Sequence, residues 1–255
     1  MTSILILTLA VAVIINLVAF LFAYIKQTDK LTDITWAITF IVLVLVNWLN
    51  TSSLNIYKSI LGLMVIVWAV RLGIFLLYRV LKKGKDKRFD ERRSSFFSFL
   101  RFWLGQALAA WILLIPLTVA INKHGSFSDL AAIGLSIWLI ALIFETTADI
   151  EKLIFNTKPK NKGKWINDGL WRLSRHPNYF GEILIWVGIY IYSLDALNSF
   201  EAFVAILSPL TIFVLLRYIS GVPILEANAD KKWGENPQYI EYKNKTNLLI
   251  PFFRH

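Results

Sequence analysis

At 255 residues, 56% hydrophobic and 15% aromatic, with a mean hydropathy of +0.57, the chain is too apolar for a soluble domain of its length; repeated apolar runs imply a helical protein that crosses a membrane several times. The absence of cysteine excludes disulfides, thiol nucleophiles and cysteine metal sites, and the only histidines are His124, His176 and His255, too few for a histidine-rich di-iron centre. A net charge of +10 would suggest nucleic acid in a soluble protein, but in a membrane protein it reads as cytoplasmic-loop bias, so no nucleic-acid partner is expected.

Residues 4–25 are uncharged over the length of one bilayer span. Met1-Thr2-Ser3 lacks the basic start of a cleaved signal peptide, so this stretch reads as a retained first helix. Lys26 and Lys30 close it, and a second span over 34–50 ends in Asn47-Trp48-Leu49-Asn50. The third span, 56–81, holds Arg71 far from either end. An intramembrane arginine costs about 2.5–3.5 kcal/mol on insertion scales, so it is expected to face a partner or a watery cavity. Arg79 lies two turns further on the same side, beside Tyr78, and either extends a cationic wall or snorkels to water.

Residues 82–101 are strongly basic, which suits a position beside anionic lipid. A fourth span follows over 102–121, with Gln106 and Pro116 inside it, then a short loop with a surface histidine, His124. The fifth span, 130–150, carries Glu145 and Asp149 at i and i+4, either facing water or making polar contacts to a cofactor. Next come a polar loop, 156–167, and the chemically densest stretch, Gly169 to Glu182. The sixth and seventh spans cover 179–194 and 200–219, and the tail reads as an amphipathic surface segment.

The stretch GLWRLSRHPNYFGE brings Arg172, Arg175 and His176 before Pro177, which suits the first helical position because its missing N–H is unpaired there anyway. Asn178, Glu182 and Trp186 follow at four-residue spacing and share one helix face. The helix then turns apolar, so Glu182 is a buried carboxylate that needs a partner. Unpaired N–H groups at the helix start, with three cations nearby, make a seat for phosphate or another anion.

This motif resembles the signature of the steroid 5α-reductase-like superfamily of membrane enzymes, most closely its bacterial branch. Sterol C14-reductases carry a related RHPNY-type segment, and isoprenylcysteine carboxyl methyltransferases a related RHP-x-Y segment. The resemblance implies a membrane reductase with NADPH held by Asp149, Lys164, Arg172, His176, Asn178, Tyr179 and Glu182. Asn178 and Glu182 match the Asn and Glu at the nicotinamide end. Arg175, Trp165, Trp186, Tyr239 and Tyr242 join the cofactor set, with Arg71, Arg79 and, in a loop closing over the nucleotide, Arg88. The substrate would be a steroid-like or other lipid enone entering from the bilayer. Where the steroid enzymes polarise its carbonyl with a Glu and a Tyr on early helices, this chain has no Asp or Glu between Asp33 and Asp86, and Trp68 takes the Tyr position. Asn47, Asn50, Tyr57 and Tyr78 are the alternative donors. The rival expectation is methyl transfer from S-adenosylmethionine, since RHP-x-Y, Glu226 and the WG…Y ending also suit the membrane methyltransferases. No HExxH or clustered ligand set points to metal.

With the N-terminus outside and seven spans, 24 of the 27 lysines and arginines fall on the cytoplasmic side, together with the C-terminus. The expected architecture is an all-α, polytopic, single membrane domain over 1–255. Residues 1–100 form its substrate side and 101–255 its cofactor half, with no room for a Rossmann domain.

Overall fold

The computed structural model describes residues 2–83 and 95–251. Regular structure among them is helical, apart from an isolated parallel bridge between Ser174 and Asn247. Helices α1 (Thr2–Ile25), α2 (Thr32–Asn50) and α3 (Ile56–Lys83) are followed by α4 (Phe96–Leu113), α5 (Ile115–Ile121) and α6 (Asp129–Thr157). Then come α7 (Pro177–Ser193), α8 (Ser199–Ala205), α9 (Leu207–Val214), α10 (Val222–Trp233) and α11 (Pro237–Lys245). Six helical stretches among the described residues are long and apolar enough to cross a membrane: α1, α2, α3 to Leu81, α4, α6 and the run Ser199–Trp233. Helix α7, expected as the sixth of seven spans, has 17 residues. The chain divides into two compact units.

The first unit spans Met1–Gly134 and Ile189–Ser208. Helix α1 packs against α4 and α2, and α2 against α3. Apolar contact alone gives little preference for protein over lipid, so such helices are held by close packing and by hydrogen bonds across the interface. Both are present. Phe20 and Ala23 of α1 pack on Phe99 and Trp103 of α4, with Phe20 edge-on to Phe99 at 5.8 Å between ring centres. Beside them the Asn16 amide donates to Thr39 Oγ1 (3.2 Å) and the Gln106 amide donates to Asn16 Oδ1 (3.1 Å), joining α1, α2 and α4. Each such bond contributes about 0.6–2 kcal/mol in a membrane.

The fourth expected span is two helices. Ser95 caps α4, accepting from the Ser98 N–H, so the helix starts before residue 102. Pro116 lacks the N–H that would bond Ile112, and the helix breaks at Leu114 before α5 resumes. Asn198 and Glu201 form a reciprocal capping box at the start of α8, and Lys123 reaches Glu201 at 2.5 Å.

The second unit spans Leu135–Gly188 and Pro209–His255. Helix α6 continues seven residues past the expected end at 150. A Cβ added to Gly181 of α7 would lie 2.7 Å from the Glu145 Cβ and 3.0 Å from its backbone, so only glycine allows α7 this close to α6. One π turn, Leu215–Ile219, ends α9, with the Ser220 N–H reaching the Leu215 carbonyl.

Candidate functional site

The second unit builds its polar group around the turn that leads into α7. Gly169 has φ +57°, a conformation other residues adopt only at a cost, and the Glu151 carboxylate accepts from the next N–H, that of Leu170, at 2.9 Å. The turn Gly169–Arg172 places Trp171 inside, where its indole donates to the Ala148 carbonyl (2.9 Å) and the Lys152 ammonium sits 4.0 Å above the ring. The Tyr242 hydroxyl closes the other side by donating to the Trp171 carbonyl at 2.8 Å. The tail then clasps the turn: the Arg175 N–H donates to the Asn247 carbonyl and the Ser174 hydroxyl to the Leu249 carbonyl, both at 2.8 Å. Helix α7 begins at Pro177, as the sequence predicts.

This frame aims Arg175 and His176 at one acceptor, Glu226 of α10. Its carboxylate takes Arg175 Nη1 at 2.5 Å and His176 Nε2 at 2.8 Å, and Lys243 stands 3.8 Å away while holding Asp230 at 2.6 Å. Burial holds the His176 imidazole below its ordinary value of 6.5; Glu226 opposes this, and Lys152 and Arg175 reinforce it. The ring is therefore neutral at pH 7. Because an ionised carboxylate only accepts, the proton belongs on Nε2, and Nδ1 is left as an acceptor. Burial, aided by the charges of Glu226 and Asp230, pushes the Tyr239 phenol up to about 12, so it remains a donor.

A second polar group lies along α6 and α7. Asn178 Nδ2 donates to Asp149 Oδ1 at 3.1 Å, and Trp186 Nε1 donates to Glu182 Oε1 at 3.3 Å. Glu145, Asp149 and Glu182 are all buried, at 3, 4 and 6% exposure. The acid pair on α6 therefore does not face water, and the shared face of Asn178, Glu182 and Trp186 is turned inward. Tyr179 stacks on His176 with ring centres 5.5 Å apart.

Trp165, Trp233, Tyr239 and Tyr242 gather beside the ion pairs; Trp165 meets Tyr239 at 5.3 Å and Trp233 at 6.1 Å. Three nitrogens around these groups are buried with no hydrogen-bond partner: Arg175 Nε, His176 Nδ1 and Trp165 Nε1. Two are donors and one an acceptor. Arg172 and Lys164 are exposed at the edge of the same unit. Among the described residues, no group of three or more His, Asp or Glu side chains could hold a metal ion.

The remaining candidates belong to the first unit. Asn47 is fully buried and engaged, donating to the Leu43 carbonyl (2.8 Å) and Thr118 Oγ1 (3.3 Å) and accepting from Asn122. Tyr57 and Tyr192 stack at 4.9 Å, and each hydroxyl donates to the other's backbone carbonyl at 3.0 Å, so the Tyr57 hydroxyl is committed to the core. Trp68 is buried edge-on to Phe40. Tyr78 is 40% exposed on α3. The Arg71 guanidinium lies 5.8 Å from the Phe75 ring centre, and Arg79 pairs with Asp33 at 3.3 Å. Arg88 lies outside the described residues.

Three site-building residues escaped the sequence-derived set. Glu226 carried no cofactor role beyond the tail pattern that also suits the methyltransferases, and Ser174 and Trp171 stood only as members of the GLWRLSRHPNYFGE motif. The ending that holds Glu226 was the only signal for it, because no local spacing links it to His176.

The fold and this polar group define an integral, multi-pass, all-helical membrane protein with buried ionisable side chains around the start of α7. The chain belongs to the family described as protein of unknown function DUF1295, a steroid 5α-reductase-like family, which it matches over residues 19–246. It is also similar to a probable O-methyltransferase of Ustilaginoidea virens, 42% identical over 48 residues, which cover 19% of this chain and 17% of that protein's length. No solved structure matches the chain significantly.

Proposed function

We propose that the protein is a membrane enzyme that uses NADPH to reduce a conjugated C=C bond in a steroid-like or other lipid enone. The observation that carries this reading is the inward polar face of α7, where Asn178 is held by Asp149 and Glu182 is buried one turn on. An asparagine whose amide is fixed on a carboxylate keeps its carbonyl oxygen to accept, and a buried carboxylate suits a carboxamide NH2. In this reading Asn178 and Glu182 hold the nicotinamide end. Arg172, Arg175, His176 and Lys164 serve the phosphates and ribose, and Trp165, Tyr239 and Tyr242 wall the nucleotide. When bound, NADPH would supply the hydride for one carbon of the double bond, and a proton drawn from solvent would complete the other. The chain's own part is to orient the carboxamide, neutralise phosphate charge and keep water from the reacting bond. Where the steroid enzymes use a glutamate, this chain has no Asp or Glu between Asp33 and Asp86, which favours substrates other than steroids themselves. The reading includes seven spans, with α7 as the sixth, and the cofactor on the cytoplasmic side, where the positive-inside count puts it.

The second reading, S-adenosylmethionine-dependent methyl transfer, is favoured by the 48-residue likeness to a probable O-methyltransferase. Titrating detergent-purified protein with NADPH and with S-adenosylmethionine decides between them. Saturable NADPH binding with none for S-adenosylmethionine is expected. The reverse pattern overturns the reductase reading.

A further inference from the structure

The loop after α6 carries Lys158, Lys160, Lys162 and Lys164, all exposed, with no acidic residue between Lys152 and Asn167. None of these four makes an ion pair among the described residues. The loop is nevertheless a fixed object. The Asn161 amide donates to the Phe155 carbonyl at 2.9 Å, and the Lys162 and Lys164 N–H groups close turns onto the Pro159 and Asn161 carbonyls. The Trp233 indole donates to the Gly163 carbonyl at 2.6 Å, which fastens the loop to α10 beside the exposed Lys231 and Lys232. An ordered loop that holds like charges together leaves their neutralisation to something outside the chain.

Its position supplies the rest. The loop leaves directly from α6, a helix apolar enough to cross a membrane. On that helix Ile140, Ile143, Ile150 and Ile154 are 67, 67, 47 and 48% exposed, at spacings that put them on one stripe running towards the lysines. Exposed lysines that follow directly on an exposed apolar stripe match the order of an anionic headgroup and its acyl chains.

We propose that the end of α6 is a binding site for an anionic glycerophospholipid. The headgroup phosphate lies among Lys158, Lys160 and Lys162, and the acyl chains lie along the isoleucine stripe. The site is separate from the cofactor reading and does not depend on it.

The test is native mass spectrometry of protein released from mixed phosphatidylglycerol and phosphatidylcholine bilayers, on wild type and on Lys158→Gln/Lys160→Gln/Lys162→Gln. Wild type is expected to retain phosphatidylglycerol over phosphatidylcholine by on the order of tenfold or more, and raised salt should weaken the preference. The triple variant should retain both lipids alike while its thermal midpoint and nucleotide affinity stay unchanged. No lipid preference in wild type, or a preference that survives in the variant, overturns the proposal. So does displacement of the lipid by inorganic phosphate or NADPH, or a variant that loses nucleotide rather than lipid, since either would make the loop a phosphate site.

Discussion

Replacing Glu226 with glutamine tests whether the ion-paired group is a structural centre of the second unit. The carboxylate accepts from Arg175 at 2.5 Å and from His176 at 2.8 Å, with side-chain exposures of 14, 5 and 18% for Arg175, His176 and Glu226. Hydrogen bonds to charged groups contribute about 1.5–3 kcal/mol each, and breaking one partner of a buried pair costs about 3–5 kcal/mol. Glutamine keeps the size and one acceptor, and the site is partly screened, so the expected loss is about 2–3 kcal/mol. For a chain of this size that corresponds to a fall of roughly 4–12 °C in the thermal midpoint, readable by circular dichroism in detergent. Glu226 also raises the proton affinity of His176 against the effect of burial, so the variant's imidazole should titrate lower still by histidine-selective NMR. A midpoint within about 1 °C of wild type, well below the expected shift, would refute the reasoning by showing that Arg175 and His176 do not rely on this carboxylate.

Glu182→Gln should weaken NADPH roughly tenfold or more while a fragment lacking nicotinamide, adenosine 2′,5′-bisphosphate, binds as before; equal weakening of both would mean that Glu182 supports the fold instead. Gly181→Ala places a methyl 2.7 Å from the Glu145 Cβ and 3.0 Å from its backbone, so it should cost about 1–3 kcal/mol, and a neutral thermal midpoint would contradict the close approach of α6 and α7. Because the folded-state pKa of His176 lies below its unfolded value, its contribution is complete above pH 6.5 and is lost as the pH falls through that value towards the folded pKa. Melts between pH 7.5 and 5 should therefore show more acid loss in wild type than in His176→Gln, and parallel curves would exclude this residue as the cause. Tyr57→Phe removes one of the two reciprocal bonds with Tyr192 and should destabilise by about 0.5–1.5 kcal/mol, a small shift that a denaturant series resolves and whose absence would count against the pairing.

What the sequence by itself determined is whatever rests on periodicity and local chemistry. Apolar runs marked the six stretches that, among the described residues, are long and apolar enough to cross a membrane, and Pro177 marked the start of α7 because a residue without an N–H fits only the first turn of a helix. Four-residue spacing put Asn178, Glu182 and Trp186 on one face, since that geometry belongs to any α-helix. Pro116 carried the signal for the break between α4 and α5, although the apolar run around it reads as continuous. Tertiary structure alone decided the partners. Glu226 meets His176 across 50 residues, Asn178 meets Asp149 across 29, and Tyr57 spends its hydroxyl on a carbonyl 135 residues away. Hydrogen bonds of that span follow from how helices pack. In a membrane, packing is set by shape and by a few polar contacts, and a mostly apolar sequence encodes it only weakly.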